Sequence, residues 1–384
     1  MAGSRIPQVN ACVYCYDNES HEPHQKINSP ELAPDETKID IRATGVGSLV
    51  ALNGTSLWIS AAGGVDYSDT KREVVLKQLG PTLTTSEMNL KYIVTCLVWH
   101  GCHDITDSMH PRHCPHPYAR GGFGKIYRGM LQSGLQVAIK CIESHADDEF
   151  LEQSKGLRRA AREIYMWSRC SHQGVLPMLG FIRLKGQIAL ITPWMESGSL
   201  QRHIVRGLLN TPVCTCIQLA TAVEYLHATG IVHGDIKPDN VLMTDQGQVQ
   251  LADFGSALSV LSTALDFTQT KSCNFTLRFA APEVLREEGC VLTKASDIYA
   301  LGMTILNVMS GQPPFANRKD SLVVIEVVVN KAKPPRPDFN ALQGDIVKTK
   351  MWNILQGCLA YSPGDRPNAS ELSELNSLNE EAGE

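Results

Sequence analysis

His233-Gly234-Asp235-Ile236-Lys237-Pro238-Asp239-Asn240 is followed, thirteen residues on, by Asp253-Phe254-Gly255. The two stretches place carboxylates, a lysine and a carboxamide on two neighbouring loops. That inventory suits the transfer of a phosphoryl group from a magnesium-bound nucleotide to a hydroxyl. Asp235 can accept the hydroxyl proton, and Asn240 and Asp253 offer hard oxygen ligands to the cation. Lys237 can neutralise charge on the group in transit.

Upstream, Ala119-Arg120-Gly121-Gly122-Phe123-Gly124-Lys125-Ile126-Tyr127 reads as strand, glycine turn, strand. Glycines there let backbone amides approach phosphates without side-chain obstruction. Alone the pattern fits an ordinary hairpin turn better, and Ala119 stands where a first glycine would complete it. A third strand, Leu135 to Cys141, carries Val137-Ala138-Ile139-Lys140, and its lysine points into the same cleft. The helix expected over about Asp147 to Cys170 puts Glu163, four residues before Trp167, where it can fix Lys140. Gln187 to Trp194 reads as a buried strand. Thr211-Pro212 opens a helix whose apolar stripe is Leu219, Ala222, Val223 and Leu226, and Gly230 closes it. Beyond Ala281 the pattern is almost entirely helical. The expected class is therefore α+β, with a β-rich first lobe and a helical second lobe.

In this order the motifs resemble the catalytic domain of eukaryotic protein kinases. The resemblance covers residues 112–375, with an N-lobe over 112–192 and a C-lobe over 196–375. It is carried by Gly121 to Gly124, Val137 to Lys140, Glu163, His233 to Asn240, Asp253-Phe254-Gly255, Ala281-Pro282-Glu283, Asp297 and Arg366. Within the superfamily the chain looks like the serine/threonine branch, and most like the tyrosine-kinase-like group expanded in mushroom-type fungi.

The resemblance implies ATP as donor, Mg2+ as its cation, and protein serine or threonine hydroxyls as acceptors. Gly121, Gly122 and Gly124 would cover the phosphates, and Lys140 would hold two of them. Thr192 falls at the gatekeeper position, and Pro193, Trp194 and Met195 form the hinge that would meet adenine. Ile126, Ala138 and Leu242 would sandwich the ring. Asp235 would be the base, with Asn240 and Asp253 on magnesium. Trp167, Met178, His233 and Phe254 would stack as a spine. Lys237 and Thr276, five residues before Ala281, carry the serine/threonine preference. Glu283 is expected to pair with Arg366, and Asp297 to hold the catalytic loop.

Gly234 departs from the pattern, because most kinases switched by loop phosphorylation have arginine before the aspartate. The expectation is that no such phosphate is needed. A switch through Lys271 or Arg278 is the alternative. Two other functions compete. A pseudokinase scaffold is supported only by Ala119 and Gly234, and a small-molecule kinase is disfavoured by Thr276 and the 281–283 motif.

The 384 residues suffice for two lobes plus an extension. A net charge of -5 gives no argument for nucleic acid. Twelve cysteines, scattered, fit reduced thiols in an intracellular, cytoplasmic protein. No secretory signal opens the chain. Residues 45–64, the most apolar early window, contain too many glycines and polar groups for a membrane span. Residues 1–37 are expected to be disordered. Residues 38–108 form an extension whose Asn53-Gly54 marks a hairpin in a small β unit. The acidic run from Leu372 to Glu384 reads as a frayed helix end, with residues 376–384 as an acidic tail. Cys12, Cys15, His21 and His24 are spaced too tightly for a zinc finger. A second group, His100, Cys102, His103, His110, His113, Cys114 and His116, reads as a polar linker rather than a metal centre.

Overall fold

The computed structural model describes residues 41–44, 47–52, 55–59, 90–111, 116–121, 124–142, 149–184, 186–259, 276–286, 292–340 and 342–382. The chain divides into two units, Met1–Thr82 and Leu83–Glu384. In the first, β1 (Ile41–Thr44), β2 (Gly47–Leu52) and β3 (Thr55–Ile59) form an antiparallel sheet. Leu52 pairs with Thr55. Asn53 and Gly54 lie outside the described residues, as do residues 1–37.

The second unit begins earlier than the sequence suggested. α1 (Leu90–Trp99) buries Ile93, Cys96 and Leu97 and packs on a helix of the first lobe. Spacings of three and four put these three on one helical face. The last part of the stretch read as an extension over 38–108 thus lies in the second unit.

The first lobe is a five-stranded antiparallel sheet of β4 (Ala119–Gly121), β5 (Gly124–Met130), β6 (Gln136–Cys141), β7 (Gly180–Leu184) and β8 (Gln187–Pro193), in the order β4-β5-β6-β8-β7. Alternation along the strands sorts its side chains. Val137, Ile139, Ala189 and Ile191 join a small cluster on one face. Ile188 and Leu190 join the main core with α2 (Glu149–Ser168) on the other. Ala138, opposite Thr192, and Lys140, opposite Leu190, fall on that second face, where the candidate site is built.

The helical lobe contains α3 (Leu200–Arg206), α4 (Pro212–Ala228), α5 (Pro282–Arg286), α6 (Lys294–Ser310), α7 (Asp320–Val324, continuing as a π turn to Val329), α8 (Asp345–Cys358) and α9 (Leu375–Ala382). Thr211 precedes Pro212 at the start of α4 but gives no side-chain cap. Gly230, with φ +75°, follows its end. α4, α6, α8 and α9 pack through Leu219, Val223, Leu301, Ile305, Leu355 and Leu378. Within the acidic C-terminal stretch, α9 buries Leu375 and Leu378 against α4 and α8. Small strands β9 (Ile231–Val232), β10 (Val241–Met243), β11 (Val249–Leu251) and β12 (Leu258–Ser259) present the loops that carry the site.

Candidate active site

The loop between β9 and β10 hangs from one buried carboxylate. Asp297 lies in the first turn of α6, where the helix dipole favours a negative charge. Its Oδ2 accepts from the His233 amide at 2.8 Å and its Oδ1 from the Gly234 amide at 2.8 Å. His227 Nε2 lies 3.0 Å from the same carboxylate. Thr293 and Ser296 cap α6 reciprocally, at 3.1 and 2.9 Å, and so set where Asp297 stands.

Gly234 has φ +80°. A β-carbon there would meet Leu292 Cδ1 at 2.6 Å and the Ser256 carbonyl oxygen at 3.0 Å. The backbone path thus requires glycine, and an arginine could not occupy it without rearrangement. Arg278 is committed elsewhere: it donates to Asp320 Oδ1 at 2.6 Å and to the carbonyls of Pro314, Phe315 and Arg318. Lys271 lies outside the described residues.

Beyond Gly234 the polar groups converge. Lys237 Nζ donates to Asp235 Oδ2 and to Thr276 Oγ1, each at 2.6 Å. Thr276 Oγ1 lies 3.4 Å from Asp235 Oδ1. Asn240 Nδ2 donates to the Asp235 carbonyl and to its Oδ2, at 2.8 and 2.9 Å. The Ala252 amide donates to the Asn240 carbonyl at 2.8 Å, which ties this loop to the one bearing Asp253.

At Asp253 the second group begins. Lys140 Nζ lies 2.7 Å from Asp253 Oδ1 and 2.6 Å from Glu163 Oε1. Burial by itself would favour a neutral amine. The two carboxylates overcome that and hold Lys140 protonated, with a pKa above the ordinary lysine range. Two carboxylates share this one ammonium, and they separate. Burial would raise Asp253, but Lys140 and the Gly255 amide bring it below the usual carboxylate range. Burial raises Glu163 to about 7, against the opposing pull of Lys140, and the Asp253 charge adds to the rise. Asp253 has φ +66°, a region that aspartate tolerates better than most residues. Phe254, fully buried, sits 5.1 Å from both the Trp167 and the His233 rings. Met178 packs, half-buried, on the same core.

Of the residues expected to meet adenine, Thr192 is buried, and Ile126, Ala138 and Leu242 are half-buried. Gly121 pairs with Gly124. Gly122 lies outside the described residues. Gly124 has a structural reason of its own: a β-carbon would collide with the Cys141 carbonyl, so glycine lets β5 close on β6. The Trp194 amide donates to the Gln136 carbonyl at 3.0 Å, extending the β6–β8 ladder. The Met195 amide has no protein partner among the described residues.

The sequence reading missed the side chains gathered around the Trp194 ring. Tyr118 meets it edge-on at 4.7 Å and the Arg128 guanidinium lies 5.0 Å from its centroid. Arg128 also pairs with Glu196 at 2.9 Å, and Trp194 Nε1 donates to the same Oε2. These contacts join the root of the glycine turn to the segment after β8. The alternation of β5 places Arg128 on the face of Ile126, but nothing local to residue 128 announces its partners.

Arg366 makes a two-pronged contact with Glu283, at 2.6 and 2.7 Å. Of the seven residues in the His/Cys cluster at 100–116, His113 and Cys114 lie outside the described residues. Among the described residues no three metal-ligating side chains gather. Cys12, Cys15, His21 and His24 lie outside them. No described helix is long and apolar enough to cross a membrane.

Residues 119–376 match the protein kinase domain family. The chain is 31% identical over 258 residues to a probable serine/threonine-protein kinase of Dictyostelium discoideum. It is 30% identical over 258 residues to mitogen-activated protein kinase kinase kinase 3, and over 259 to mitogen-activated protein kinase kinase kinase ANP1, both of Arabidopsis thaliana. These alignments cover 66% of this chain but only 48%, 38% and 37% of the relatives. The chain thus spans less than half the length of the curated proteins it resembles.

Proposed function

The chain belongs to the protein kinase domain family, and on that premise we propose that it transfers the γ-phosphoryl group of ATP to serine or threonine hydroxyls of protein substrates. The observation that supports this most is the joining of Lys140, Glu163, Asp253, Asn240, Asp235, Lys237 and Thr276 through two linked sets of hydrogen bonds. A scaffold that performs no chemistry has no physical need for all of them.

Each residue then has a task. Lys140, kept cationic, binds two phosphates, and Glu163 keeps its ammonium in place. Asp235 accepts the hydroxyl proton, and Lys237 stabilises charge on the group in transit. Thr276 bridges the two and shapes the floor on which a Ser/Thr side chain lies. The Met195 amide, Ile126, Ala138, Thr192 and Leu242 seat adenine, and Gly121 and Gly124 let the backbone close over the phosphates. Trp194 takes part through its position in the hinge, not through its amide.

The donor set fits magnesium: Asp253 and Asn240 supply hard oxygens, and Asn240 donates with Nδ2, which turns its carbonyl oxygen outward from Asp235. A magnesium ion held there would neutralise phosphate charge. Placement within the tyrosine-kinase-like group, and a cytoplasmic site of action, belong to the same proposal. They rest on the motifs and on relatives named as mitogen-activated protein kinase kinase kinases.

The test is radiolabel transfer from Mg-ATP to a generic protein substrate, before and after phosphatase treatment of the chain, followed by phosphoamino-acid analysis. Label on serine or threonine from both samples is expected. Because glycine replaces arginine at 234, the treated sample should keep its rate. Label on tyrosine alone, or collapse of the treated sample, would defeat the corresponding part of the reading.

Acidity should also report the site. In the nucleotide-free chain Glu163 gains a proton as pH falls through about 7, and a neutral carboxyl no longer holds Lys140. kcat/KM for ATP is therefore expected to fall below about pH 7 and to level off above it. A flat profile between pH 6 and 8 (roughly, the range that brackets this titration) would contradict it.

A further inference from the structure

α1 and the strand-like segment after it lie N-terminal to the residues that match the family, and none of their side chains enters the site. We infer that residues 90–110 are a positioning brace that holds α2, and with it Glu163, where Lys140 can reach it. The inference rests on the kinase reading for the meaning of that pair, but its geometry stands alone.

The brace grips α2 from Leu157 to Ser168. Ile93, Cys96 and Leu97 are 0%, 5% and 1% exposed. Ile93 and Leu97 share one buried cluster with Leu157, Ala160, Ala161 and Ile164 of α2. Those four recur at spacings of three and four, so they form one face of α2. At the far end the His100 ring meets Tyr165 edge-on at 5.1 Å, and Cys102 Sγ shares a hydrogen bond with Ser168 Oγ at 3.3 Å. The contacts thus flank Glu163 on both sides along the helix.

The same segment is anchored to the sheet, so it cannot ride along with α2. The Phe181 amide donates to the His103 carbonyl, and the Ile105 amide to the Phe181 carbonyl, both at 2.9 Å. Arg183 pairs with Asp104 at 3.0 Å. The His110 amide donates to the Met130 carbonyl and the Gln132 amide to the Ser108 carbonyl, each at 2.8 Å. Gly180, with φ +152°, makes room: a β-carbon there would collide with the His103 carbonyl. One end of the brace is therefore part of the sheet that carries Lys140, and the other is part of the core that carries Glu163. Removing buried methyl and methylene groups from this joint leaves a cavity into which one partner can shift relative to the other.

The experiment uses the full chain with Ile93→Ala and Leu97→Ala together, beside a control, Val98→Ser, on the exposed face of α1 where Val98 is 50% exposed. Amide hydrogen exchange of residues 156–168 is measured, with dissociation constants for Mg-ATP and for adenosine. In the double variant exchange should quicken, and Mg-ATP should bind about threefold to thirtyfold more weakly, while adenosine binding stays within about twofold. The control should match wild type in all three. A role confined to stability would lower the melting temperature but leave the ratio of the two affinities at its wild-type value, and that result overturns the inference. If the double variant shows no cooperative melt, Ile93→Val is judged by the same ratio. Should the wild-type chain bind Mg-ATP yet transfer no phosphate, the kinase reading fails, while exchange and the affinity ratio still decide the brace.

Discussion

Replacing Asp253 by alanine is expected to lower phosphoryl transfer by at least about a thousandfold while leaving the chain folded. Asp253 is the point at which the two halves of the site meet. Its Oδ1 receives Lys140 at 2.7 Å, its backbone neighbour Ala252 is bonded to Asn240, and its carboxylate is the strongest candidate ligand for magnesium. Alanine removes the charge and the ligand at once. The fold should survive, because the core beneath is held by Phe254, Trp167 and His233, which the change does not touch. The cost to stability comes from alanine at φ +66°, on the order of 1 kcal/mol, from a changed partner for Lys140, and from the lost acceptor of the Gly255 amide. Asp253→Asn keeps the shape and removes only charge, so it should also be inactive and melt closer to wild type. The measurement is initial rate under saturating Mg-ATP with a thermal melt of each variant. Turnover at the wild-type rate in Asp253→Ala would remove Asp253 from the site.

The largest effect on stability is expected at Arg366, far from the chemistry. Its side chain is fully buried and meets Glu283 in a planar fork. It also donates to the carbonyls of Ala295 and Ala360, each at 2.8 Å, and to Tyr361 at 3.2 Å, and its guanidinium lies 5.0 Å from the centre of the Tyr299 ring. Arg366→Ala leaves Glu283, which is only 14% exposed, with a charge and no partner, and three carbonyls without a donor. Breaking a buried pair from one side costs about 3–5 kcal/mol. Arg366→Lys should recover only part of that, since a single ammonium cannot reproduce the fork. Urea melts of both variants check the prediction, and a loss below about 1 kcal/mol for Arg366→Ala, no more than a surface pair is worth, would contradict it. Because Glu283 immediately follows Ala281-Pro282 and the segment bearing Thr276, a folded remnant of Arg366→Ala should also lose activity more than nucleotide affinity.

The catalytic loops were legible because their requirements are local. Asp235, Lys237 and Asn240 lie within six residues, and the chemistry of a carboxylate, an ammonium and an amide at that spacing admits few uses. The Lys140–Glu163 pair spans a greater distance, yet it was readable because a lysine ending that strand shares a cleft with the helix that follows, whereas the Lys237–Thr276 contact came only from the resemblance to protein kinases. The role of Asp297 came only from the resemblance to protein kinases; its burial in a first helical turn and its use of the His233 and Gly234 amides are findings of the structure.

What escaped is what depends on a partner distant in sequence. The apolar trio at 93, 96 and 97 is too short a run to distinguish a lobe helix from a free extension until α2 is placed beside it. Leu375 and Leu378 were hidden within an acidic stretch for the same reason. Trp194 was placed at the hinge, but the use of its amide by Gln136 is decided by how far the β6–β8 ladder runs. The clamp of Tyr118, Arg128 and Glu196 around its ring brings together residues from three segments, none of which is unusual in its own neighbourhood.

The most direct measurement is a crystal structure of the chain with magnesium and a non-hydrolysable ATP analogue. The account predicts Lys140 Nζ at about 3 Å from oxygens of the first two phosphates, Asp253 and Asn240 on one magnesium ion, and the terminal phosphate facing Asp235. A nucleotide seated elsewhere, or Asp253 and Asn240 ligating no common ion, would contradict it.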